Sequence, residues 1–395
     1  MMDIPSSMSP SMKKVGIITI VKVNNYGAEL QALATQKAVE NLGYYAEIID
    51  YPFYKNARHK STKRSKPLFS MPLKKRVAEW LYPRIYKWQQ KLRKNEIAER
   101  RAARFAEFHK ANTIFSREYR TAESLQCADM DYDVYIVGSD QVWNPNNYTS
   151  LDPYFLKFAP KDKIRMSYAS SIGVSQLPER TKHYYSEALR GLDAVSVREE
   201  NAVKLVKDIS GVEAQWVLDP TLLLPGTEWL KIGKKVENVP RRYVLLYEIT
   251  PSLYLKRLAL KVAGDLKIRV VRICREAVRQ ESDDEIVNIM DAGPAEFIWL
   301  LGNAEMVLTN SFHGTAFSIN MQRNFYTVAP ARKQNNSRQK SLLKLVGLED
   351  RLIIEEAPMP GIEGYDINFE KVNTLLEVAR NRSMNYLRFA IDGKE

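Results

Sequence analysis

The chain has 395 residues, a length that exceeds one ordinary hydrophobic core and predicts two domains. Hydrophobic residues make up 45% of it, yet no apolar run reaches the length of about 18 residues that a membrane-spanning helix needs. The first 14 residues lack the apolar centre of a secretory signal, so we expect a cytoplasmic protein. Two separated cysteines, Cys127 and Cys274, indicate neither a disulfide framework nor a metal cluster.

The net charge of +12 is concentrated in residues 55–110, where 18 Lys and Arg stand against four Glu. Tryptophan and tyrosine alternate with these cations, a composition that suits an anionic membrane surface or a polyanionic partner. The alternative is a solvent-exposed helical segment whose charges bind no specific partner. Nucleic acid is not expected as a partner, because no nucleic-acid-binding module is recognisable. If the membrane reading holds, the protein lies peripherally at the inner face of the membrane.

The first predicted elements form a βαβ unit. An apolar strand at 13–20 leads through a polar turn into a helix at 29–42, and a second strand follows at 47–51. The turn lacks the three-glycine fingerprint of dinucleotide-binding folds. The basic residues then continue into a predicted helical insertion, residues 71–110, packed on the edge of this domain.

Further strands are predicted at 133–137, 164–169, 193–197 and 214–218, and each ends in a polar turn. In open α/β sheets the ligand crevice lies outside the carboxyl ends of the strands. We therefore expect residues from several turns to face one cleft. They are Asn24, Asp140, Gln141, Trp143, Ser170, Arg198 and Asp219. Taken singly, each has the ordinary alternative of a turn or cap residue.

A second α/β pattern follows a break at 225–240. Its predicted strands are 243–247, 268–273, 306–308 and 324–328, and its predicted helices begin at 254, 293, 315 and 341. Residues 332–340 are interpreted as a basic loop. We expect an N-terminal domain at 13–224, a C-terminal domain at 236–355, and a final helix at 366–392 that crosses back to the first domain.

One histidine, His313, stands between the predicted strand 306–308 and the helix that begins at Thr315. Small polar residues surround it, namely Asn310, Ser311 and Gly314. A helix start presents unpaired N–H groups and the positive end of the helix dipole, which together hold an anion such as phosphate or carboxylate. The alternative is that these residues merely cap the helix and that the histidine makes a local hydrogen bond.

Five short motifs occur in order at the strand ends. They are Asn25–Ala28, Val137–Asn144, Ser196–Glu199, Val217–Thr221 and Thr309–Gly314. With these motifs the chain resembles the polysaccharide pyruvyl transferase family, over about residues 13–350. The resemblance implies an α/β fold of two Rossmann-like domains facing a cleft, GT-B-like, here with a basic helical insertion in the first domain.

The resemblance also implies an activity. Such enzymes move the pyruvyl group of phosphoenolpyruvate onto two hydroxyls of a sugar, in a polysaccharide or lipid-linked glycan precursor, and form a cyclic ketal and phosphate. The partners are then phosphoenolpyruvate as donor substrate and a sugar acceptor, and no cofactor or metal is expected. One position departs from the family pattern, because other branches carry a basic residue where this chain has Ser311. Arg332, Lys333, Arg338 or Arg198 alone are the candidates to replace it.

We expect His313, Arg198 and Asp140 to carry the reaction. His313 would act as general acid or as the acid that binds the leaving phosphate. Arg198 would hold phosphate or carboxylate, unless it pairs with Glu199 or Glu200 at the surface. Asp140 would act as base on an acceptor hydroxyl, or else caps a turn. Trp143 and Tyr26 are interpreted as platforms for a sugar face, with core packing as the alternative.

The other expected substrate-binding residues are small or polar side chains at the same turns. They are Asn24, Asn25, Gly27, Gln141, Asn144, Ser170, Ser171, Asp219, Asn310, Ser311, Gly314 and Thr315. Two other functions remain open. A GT-B glycosyltransferase with a nucleotide-sugar donor would share the fold, although no acidic ribose clamp follows the His313 helix. A non-catalytic protein recruited to membranes through residues 55–110 is the other.

Overall fold

The computed structural model describes residues 12–52, 96–147, 149–274, 285–331 and 336–393. Within them the chain forms two α/β domains, each built on one parallel sheet. Most of the predicted basic insertion, residues 53–95, lies outside the described residues.

The first domain is built on a five-stranded sheet whose order is β3-β2-β1-β4-β5. The strands are β1 (Lys14–Ile18), β2 (Tyr45–Asp50), β3 (Phe115–Glu118), β4 (Val134–Val137) and β5 (Ile164–Ser167). Two short strands, β6 (Val195–Val197) and β7 (Ala214–Trp216), continue it through parallel bridges from Met166 and Ser170. Helices cover the sheet on both faces. Because the central strands are buried on both faces, their sequences are the continuous apolar runs from which they were predicted. These helices are α1 (Tyr26–Asn41), α2 (Glu96–Asn112), α3 (Ala122–Gln126), α4 (Glu179–Arg190) and α5 (Glu200–Ser210).

The second domain repeats the plan with six parallel strands in the order β10-β9-β8-β11-β12-β13. The strands are β8 (Tyr243–Tyr247), β9 (Arg269–Ile273), β10 (Ile286–Ile289), β11 (Met306–Thr309), β12 (Asn324–Ala329) and β13 (Leu352–Ile354). The helices are α6 (Gly226–Ile232), which links the domains, α7 (Leu253–Leu266), α8 (Pro294–Gly302), α9 (Phe312–Asn320) and α10 (Ser337–Val346).

Both sheets reverse their strand order beside their first strand, at β1 and β4 in one domain and at β8 and β11 in the other. At such a switch point the two connections leave toward opposite faces, and a crevice opens at the carboxyl ends of the strands. Asp140 lies in the turn after β4, and His313 lies at the start of the helix that follows β11. The topology therefore places the predicted site residues at the positions where this fold binds ligands.

Helix α1 begins three residues before the predicted start, because Asn25 caps it by accepting hydrogen bonds from the N–H groups of Gly27 and Ala28.

Tyr26, the first residue of α1, joins the two domains. The ring of Tyr26 stacks on Phe297 of α8 with centroids 4.6 Å apart, and its hydroxyl donates to the carbonyl of Ala292 at 2.8 Å. Only 1% of Tyr26 is exposed. The structure therefore contradicts the sugar-platform interpretation, because both faces of the ring lie in the interdomain core.

The last helix, α11 (Phe369–Asp392), lies against the first domain. The hydroxyl of Tyr386 donates to the carbonyl of Ser167 at 3.0 Å, and Ser383 accepts from the N–H of Leu218 at 3.0 Å. Arg380 donates to the carbonyl of Leu222 and to Asn320 of the second domain. The helix thus ties both domains together next to the strand ends. No helix in the described part of the chain combines the length and apolarity that crossing a bilayer requires.

Replacing Tyr26 by Ala should remove a buried ring from the domain interface and lower the free energy of unfolding by about 3–5 kcal/mol. Tyr26→Phe keeps the stacked ring and loses one hydrogen bond, so it should cost only about 1 kcal/mol and leave turnover intact. Chemical denaturation followed by tryptophan fluorescence measures both changes. Equal stability of the Ala variant and the native protein would show that the domains do not depend on this contact.

Candidate active site between the two sheets

His313 lies in the first turn of α9, facing the first domain. Ser311 caps the helix by accepting from the N–H of Gly314 at 3.2 Å, so α9 begins at Phe312 rather than at Thr315 as predicted. The side chain is buried, and its Nε2 lies 3.6 Å from Oδ2 of Asp219 without forming a hydrogen bond. The imidazole therefore sits between the two domains with its Nε2 directed toward Asp219.

Gly27 is required by the close approach of this imidazole. A Cβ atom at Gly27 would lie 2.0 Å from Nδ1 of His313, inside any van der Waals contact. Since both groups belong to rigid helices, α1 and α9, neither can withdraw cheaply. The glycine of the Asn25–Ala28 motif thus leaves the space that the His313 ring of the other domain occupies.

Arg198 links two carboxylates beneath the histidine. It follows β6, and its Nη1 lies 2.7 Å from Oδ2 of Asp219 while its Nη2 lies 3.4 Å from Oδ1 of Asp140. Its side chain is 1% exposed. The expectation that this guanidinium offers its fork to a donor anion, or pairs with Glu199 or Glu200 at the surface, is therefore corrected. Both outer nitrogens already bind carboxylates, and the buried Nε has no hydrogen-bond partner among the described residues.

Asp219 is the centre of the charged cluster. Burial raises its pKa, but His313 and then Arg198 outweigh burial and hold the pKa well below the ordinary range. Its Oδ1 accepts from the N–H and the hydroxyl of Thr221, at 3.0 and 2.7 Å. The carboxylate is therefore ionised and fixed, and it faces Nε2 of His313 and Nη1 of Arg198.

Asp140 is the more accessible carboxylate of the cluster. It lies at the end of β4 in a left-handed conformation with a φ of 63°. Its Oδ1 accepts from the N–H of Gln141 at 2.8 Å and faces Arg198. Its side chain is 16% exposed. Both expectations, a turn cap and a base that an acceptor can reach, are compatible with this position.

Arg338 reaches the same cluster from the second domain. Helix α10 begins at Ser337, so Arg338 stands on a helix and not in the predicted loop. Its guanidinium carbon lies 5.9 Å from the ring centroid of Phe312, and that of Arg198 lies 4.7 Å from the same centroid. Burial, followed by repulsion from Arg198, lowers the pKa of Arg338. The other two candidates, Arg332 and Lys333, lie outside the described residues.

Glu199 belongs to the cluster although sequence reasoning gave it no functional role. It is 2% exposed, and Ser171 donates a hydrogen bond to its Oε1. Its Oε2 is buried without a hydrogen-bond partner. Burial raises the pKa of Glu199, and the opposing attraction of Arg198 does not cancel the effect. The available signal was its place in the Ser196–Glu199 motif directly after Arg198.

Trp143 and Ser170 lie in the core. The ring of Trp143 is fully buried, stacks on Phe155 with centroids 5.2 Å apart, and donates to the carbonyl of Tyr154 at 2.7 Å. It therefore presents no face to a sugar, and that interpretation is wrong. Ser170 is also fully buried, and its hydroxyl donates to the carbonyl of Val137 at 3.0 Å.

Most of the remaining polar residues hold the turns in shape. Asn310 ties the end of β11 to the end of β8 by accepting from the N–H of Ile249 at 2.7 Å and donating to the carbonyl of Thr250. Thr315 donates to the carbonyl of Ser311, and a Cβ at Gly314 would lie 2.5 Å from the hydroxyl of Thr309.

The rim of the first domain carries the other three expected residues. Asn144 donates to Gln141 at 2.8 Å, and the two side chains pack against each other at partly exposed positions. Asn24 is exposed, and its carbonyl accepts from Arg101 of α2 at 3.1 Å. No cluster of three metal-ligating acidic, histidine or cysteine side chains occurs in the described ranges.

Two Rossmann-like domains, each built on one parallel sheet and facing the other across a cleft, form the GT-B fold class. The solved UDP-N-acetylglucosamine 2-epimerase of Rickettsia bellii matches with a TM-score of 0.50 and 11% identity, over 97% of this chain and 96% of that one. A putative UDP-N-acetylglucosamine 2-epimerase of Listeria monocytogenes matches with a TM-score of 0.49 and 10% identity, over 98% of both chains. The likeness to the Rickettsia bellii structure concerns the fold alone. Together with the two parallel sheets it confirms the fold class predicted from the sequence.

The family is shown by the sequence. The family model described as polysaccharide pyruvyl transferase matches residues 25–332, which is most of the chain. The protein therefore belongs to the polysaccharide pyruvyl transferase family, and the resemblance found in its motifs is confirmed. A comparison with curated proteins gave no match. Membership of this family makes the protein a transferase.

Replacing Gly27 by Ala should displace the imidazole of His313 by about 1 Å or more, and a misplacement of that size costs about 100-fold in turnover. Alanine is a good helix former, so α1 should stay folded. Gly264→Ala is the matched control, because Gly264 lies in helix α7 with open space around it and should keep full activity. Steady-state turnover with circular dichroism checks both variants, and an active Gly27→Ala enzyme would contradict the described contact.

Replacing Asp219 by Asn should leave Arg198 without its closest partner and lower the free energy of unfolding by about 3–5 kcal/mol at pH 7. The lowered pKa of Asp219 contributes stability above the ordinary aspartate pKa of about 3.9, and this contribution is lost as pH falls toward the folded-state value. The difference between variant and native protein should therefore shrink below about pH 4. A difference that stays constant into acid would contradict the ion pair.

Asp208→Asn is the control for that measurement. Asp208 pairs with Lys204 on the exposed side of α5, and its side chain is 54% exposed. Pairs of this kind contribute little to stability, so the variant should unfold like the native protein at every pH.

Proposed function

We propose that this transferase moves the pyruvyl group of phosphoenolpyruvate onto two hydroxyls of one sugar and releases phosphate. One observation carries the proposal. A buried histidine stands at a helix start with a carboxylate 3.6 Å from its Nε2, and two guanidinium groups lie around the neighbouring Phe312. This arrangement fits a small donor with concentrated negative charge.

The reaction needs four proton transfers, two to the donor and two from the sugar hydroxyls. The methylene carbon of phosphoenolpyruvate gains a proton and becomes a methyl group, and positive charge develops at the neighbouring carbon. A sugar hydroxyl attacks that carbon and loses its proton, and the phosphate leaves with its bridging oxygen protonated. The second hydroxyl then closes the ketal. One hydroxyl proton thus balances the new methyl hydrogen, and the other balances the proton carried away by phosphate.

His313 suits the leaving phosphate. It lies in the first turn of α9, where the helix dipole and unpaired N–H groups favour an anion. Asp219 lies 3.6 Å from its Nε2 and gives the imidazole a fixed carboxylate partner. We therefore assign His313 the role of general acid, which gives a proton to the bridging oxygen as phosphate leaves.

Arg338 suits the carboxylate or phosphate of the donor better than Arg198 does. The guanidinium of Arg198 is already engaged by Asp219 and Asp140. Among the described residues no hydrogen bond occupies the guanidinium of Arg338, and it lies over Phe312 directly before His313. It therefore compensates for Ser311, which stands where other branches of the family carry a basic residue.

Asp140 is the proposed base for the acceptor hydroxyl, because it is the partly exposed member of the buried cluster. The acceptor is a sugar in a polysaccharide or lipid-linked glycan precursor. A lipid-linked acceptor would lie at the inner face of the membrane, and the basic aromatic composition of residues 55–110 suits binding to that anionic surface.

Replacing His313 by Ala should lower the rate of phosphate release from phosphoenolpyruvate by about 100- to 10,000-fold, the usual worth of a general acid. Donor binding, followed by thermal shift, should persist. His183→Ala is the control, since the His183 side chain is 87% exposed on α4 and should be dispensable. Ordinary turnover by His313→Ala would remove the acid assignment. Release of nucleotide from a nucleotide-sugar by the native protein would favour the glycosyltransferase alternative.

Replacing Arg338 by Ala should raise the KM for phosphoenolpyruvate by about 10- to 100-fold, because a charge-assisted hydrogen bond of about 1.5–3 kcal/mol is lost. Lys340→Ala removes an exposed cation from the same helix and should leave the KM unchanged. Equal KM values for the two variants would assign donor binding to other cations.

A further inference from the structure

We propose that Glu199 is the acid that protonates the methylene carbon of phosphoenolpyruvate. The inference rests on the proposed function and deepens it, because the cluster around His313 leaves that proton without a source. His313 faces the leaving phosphate, and Asp140 accepts a proton rather than supplying one.

Glu199 fills neither of the two structural roles that its position suggests among the described residues, a helix cap and an ion-pair partner of Arg198. It stands at the cap position of helix α5, where an acidic side chain usually accepts from the first N–H groups of the helix. Its side chain makes no such bond. It is also not the ion-pair partner of Arg198, whose outer nitrogens bind Asp219 and Asp140. Burying a carboxyl group that neither caps a helix nor pairs with a cation lowers stability. A role in the reaction would explain why the protein carries this cost.

The carboxyl group is hydrogen-bonded at one oxygen and buried without a partner among the described residues at the other. Ser171, at the carboxyl end of β5, donates to Oε1 and fixes the side chain. The buried Oε2 has no hydrogen-bond partner in the described structure. One fixed oxygen and one unpartnered oxygen are what a positioned proton donor needs.

The position of the carboxyl group relates it to the donor site. The charged groups that act on it are Arg198, its neighbour in sequence, and Arg338 from the second domain. These are the two guanidinium groups that flank Phe312. A phosphoenolpyruvate molecule held by Arg338 beside His313 would therefore lie near Glu199, which directly follows Arg198 in the chain.

A proton donor has to carry its proton before the reaction, and burial favours the protonated form of Glu199. Burial raises the pKa of Glu199, so the acid form persists to higher pH than for an exposed glutamate. In the step, the bond between the carboxyl oxygen and its proton breaks, and the π electrons of the donor form the new C–H bond. The carboxylate left behind lies near Arg198 and Arg338, which stabilise it until a hydroxyl proton restores the acid.

Two opposite substitutions at Glu199 separate a proton donor from a structural residue. Glu199→Gln keeps the length and an oxygen that accepts from Ser171, but it cannot donate an acidic proton. Glu199→Asp keeps an acid and shortens the side chain by one methylene. If Glu199 protonates the donor, Gln should lose about 100- to 10,000-fold in kcat, and Asp should retain more activity than Gln. If it only accepts from Ser171, the order should be reversed.

The variants are compared in purified full-length protein, with phosphoenolpyruvate and an acceptor on which the native enzyme turns over. The KM for phosphoenolpyruvate should stay unchanged in Glu199→Gln, and its solvent deuterium isotope effect on kcat should increase, since protonation of carbon becomes rate-limiting. Glu200→Gln is the matched control, because Glu200 is exposed, pairs with Lys344 and should be dispensable.

The outcomes distinguish this inference from the proposed function. If the native protein neither binds phosphoenolpyruvate nor releases phosphate from it, the proposed function fails. If the native protein turns over and Glu199→Gln does so equally well, or better than Glu199→Asp, only the assignment of Glu199 is overturned.

Discussion

The structure depends on the buried ion pair between Arg198 and Asp219, whose charged atoms lie 2.7 Å apart. Charges removed from water are stable only when paired in good geometry, so neither side chain can move without the other. Thr221 fixes the second oxygen of Asp219, and Asp140 faces the second nitrogen of Arg198. The carboxylate therefore stands at one defined position below the gap between the domains. At that position the carboxylate faces Nε2 of His313 at 3.6 Å.

The two domains contribute different parts to this arrangement. The first domain supplies the carboxylates, Arg198 and the glycine that admits the imidazole. The second domain supplies His313 at a helix start and Arg338 beside Phe312. The site is thus complete only when both sheets face each other, and the interdomain packing of Tyr26 together with α11 maintains that relation. Stability and chemistry are coupled through the same few contacts.

Apolar runs in the sequence predicted the central strands well, because strands buried on both faces need continuous apolar residues. The edge strand Phe115–Glu118 was missed, since its residues are mixed in polarity and partly exposed. Helix starts at Tyr26, Phe312 and Ser337 were predicted late, because polar and glycine residues near a helix start look like loop residues. Trp143 was misread for a related reason, since its polar neighbours form the rim while its ring turns into the core. Glu199 was missed because burial, which makes it unusual, is a tertiary property.

The most direct test of the account is an equilibrium titration of the native protein with phosphoenolpyruvate, followed by calorimetry at two salt concentrations, beside a panel of nucleotide-sugars. The account requires that phosphoenolpyruvate binds, that binding weakens as salt rises because the recognition is between charges, and that the nucleotide-sugars do not compete. Tight binding of a nucleotide-sugar together with no detectable binding of phosphoenolpyruvate would contradict it.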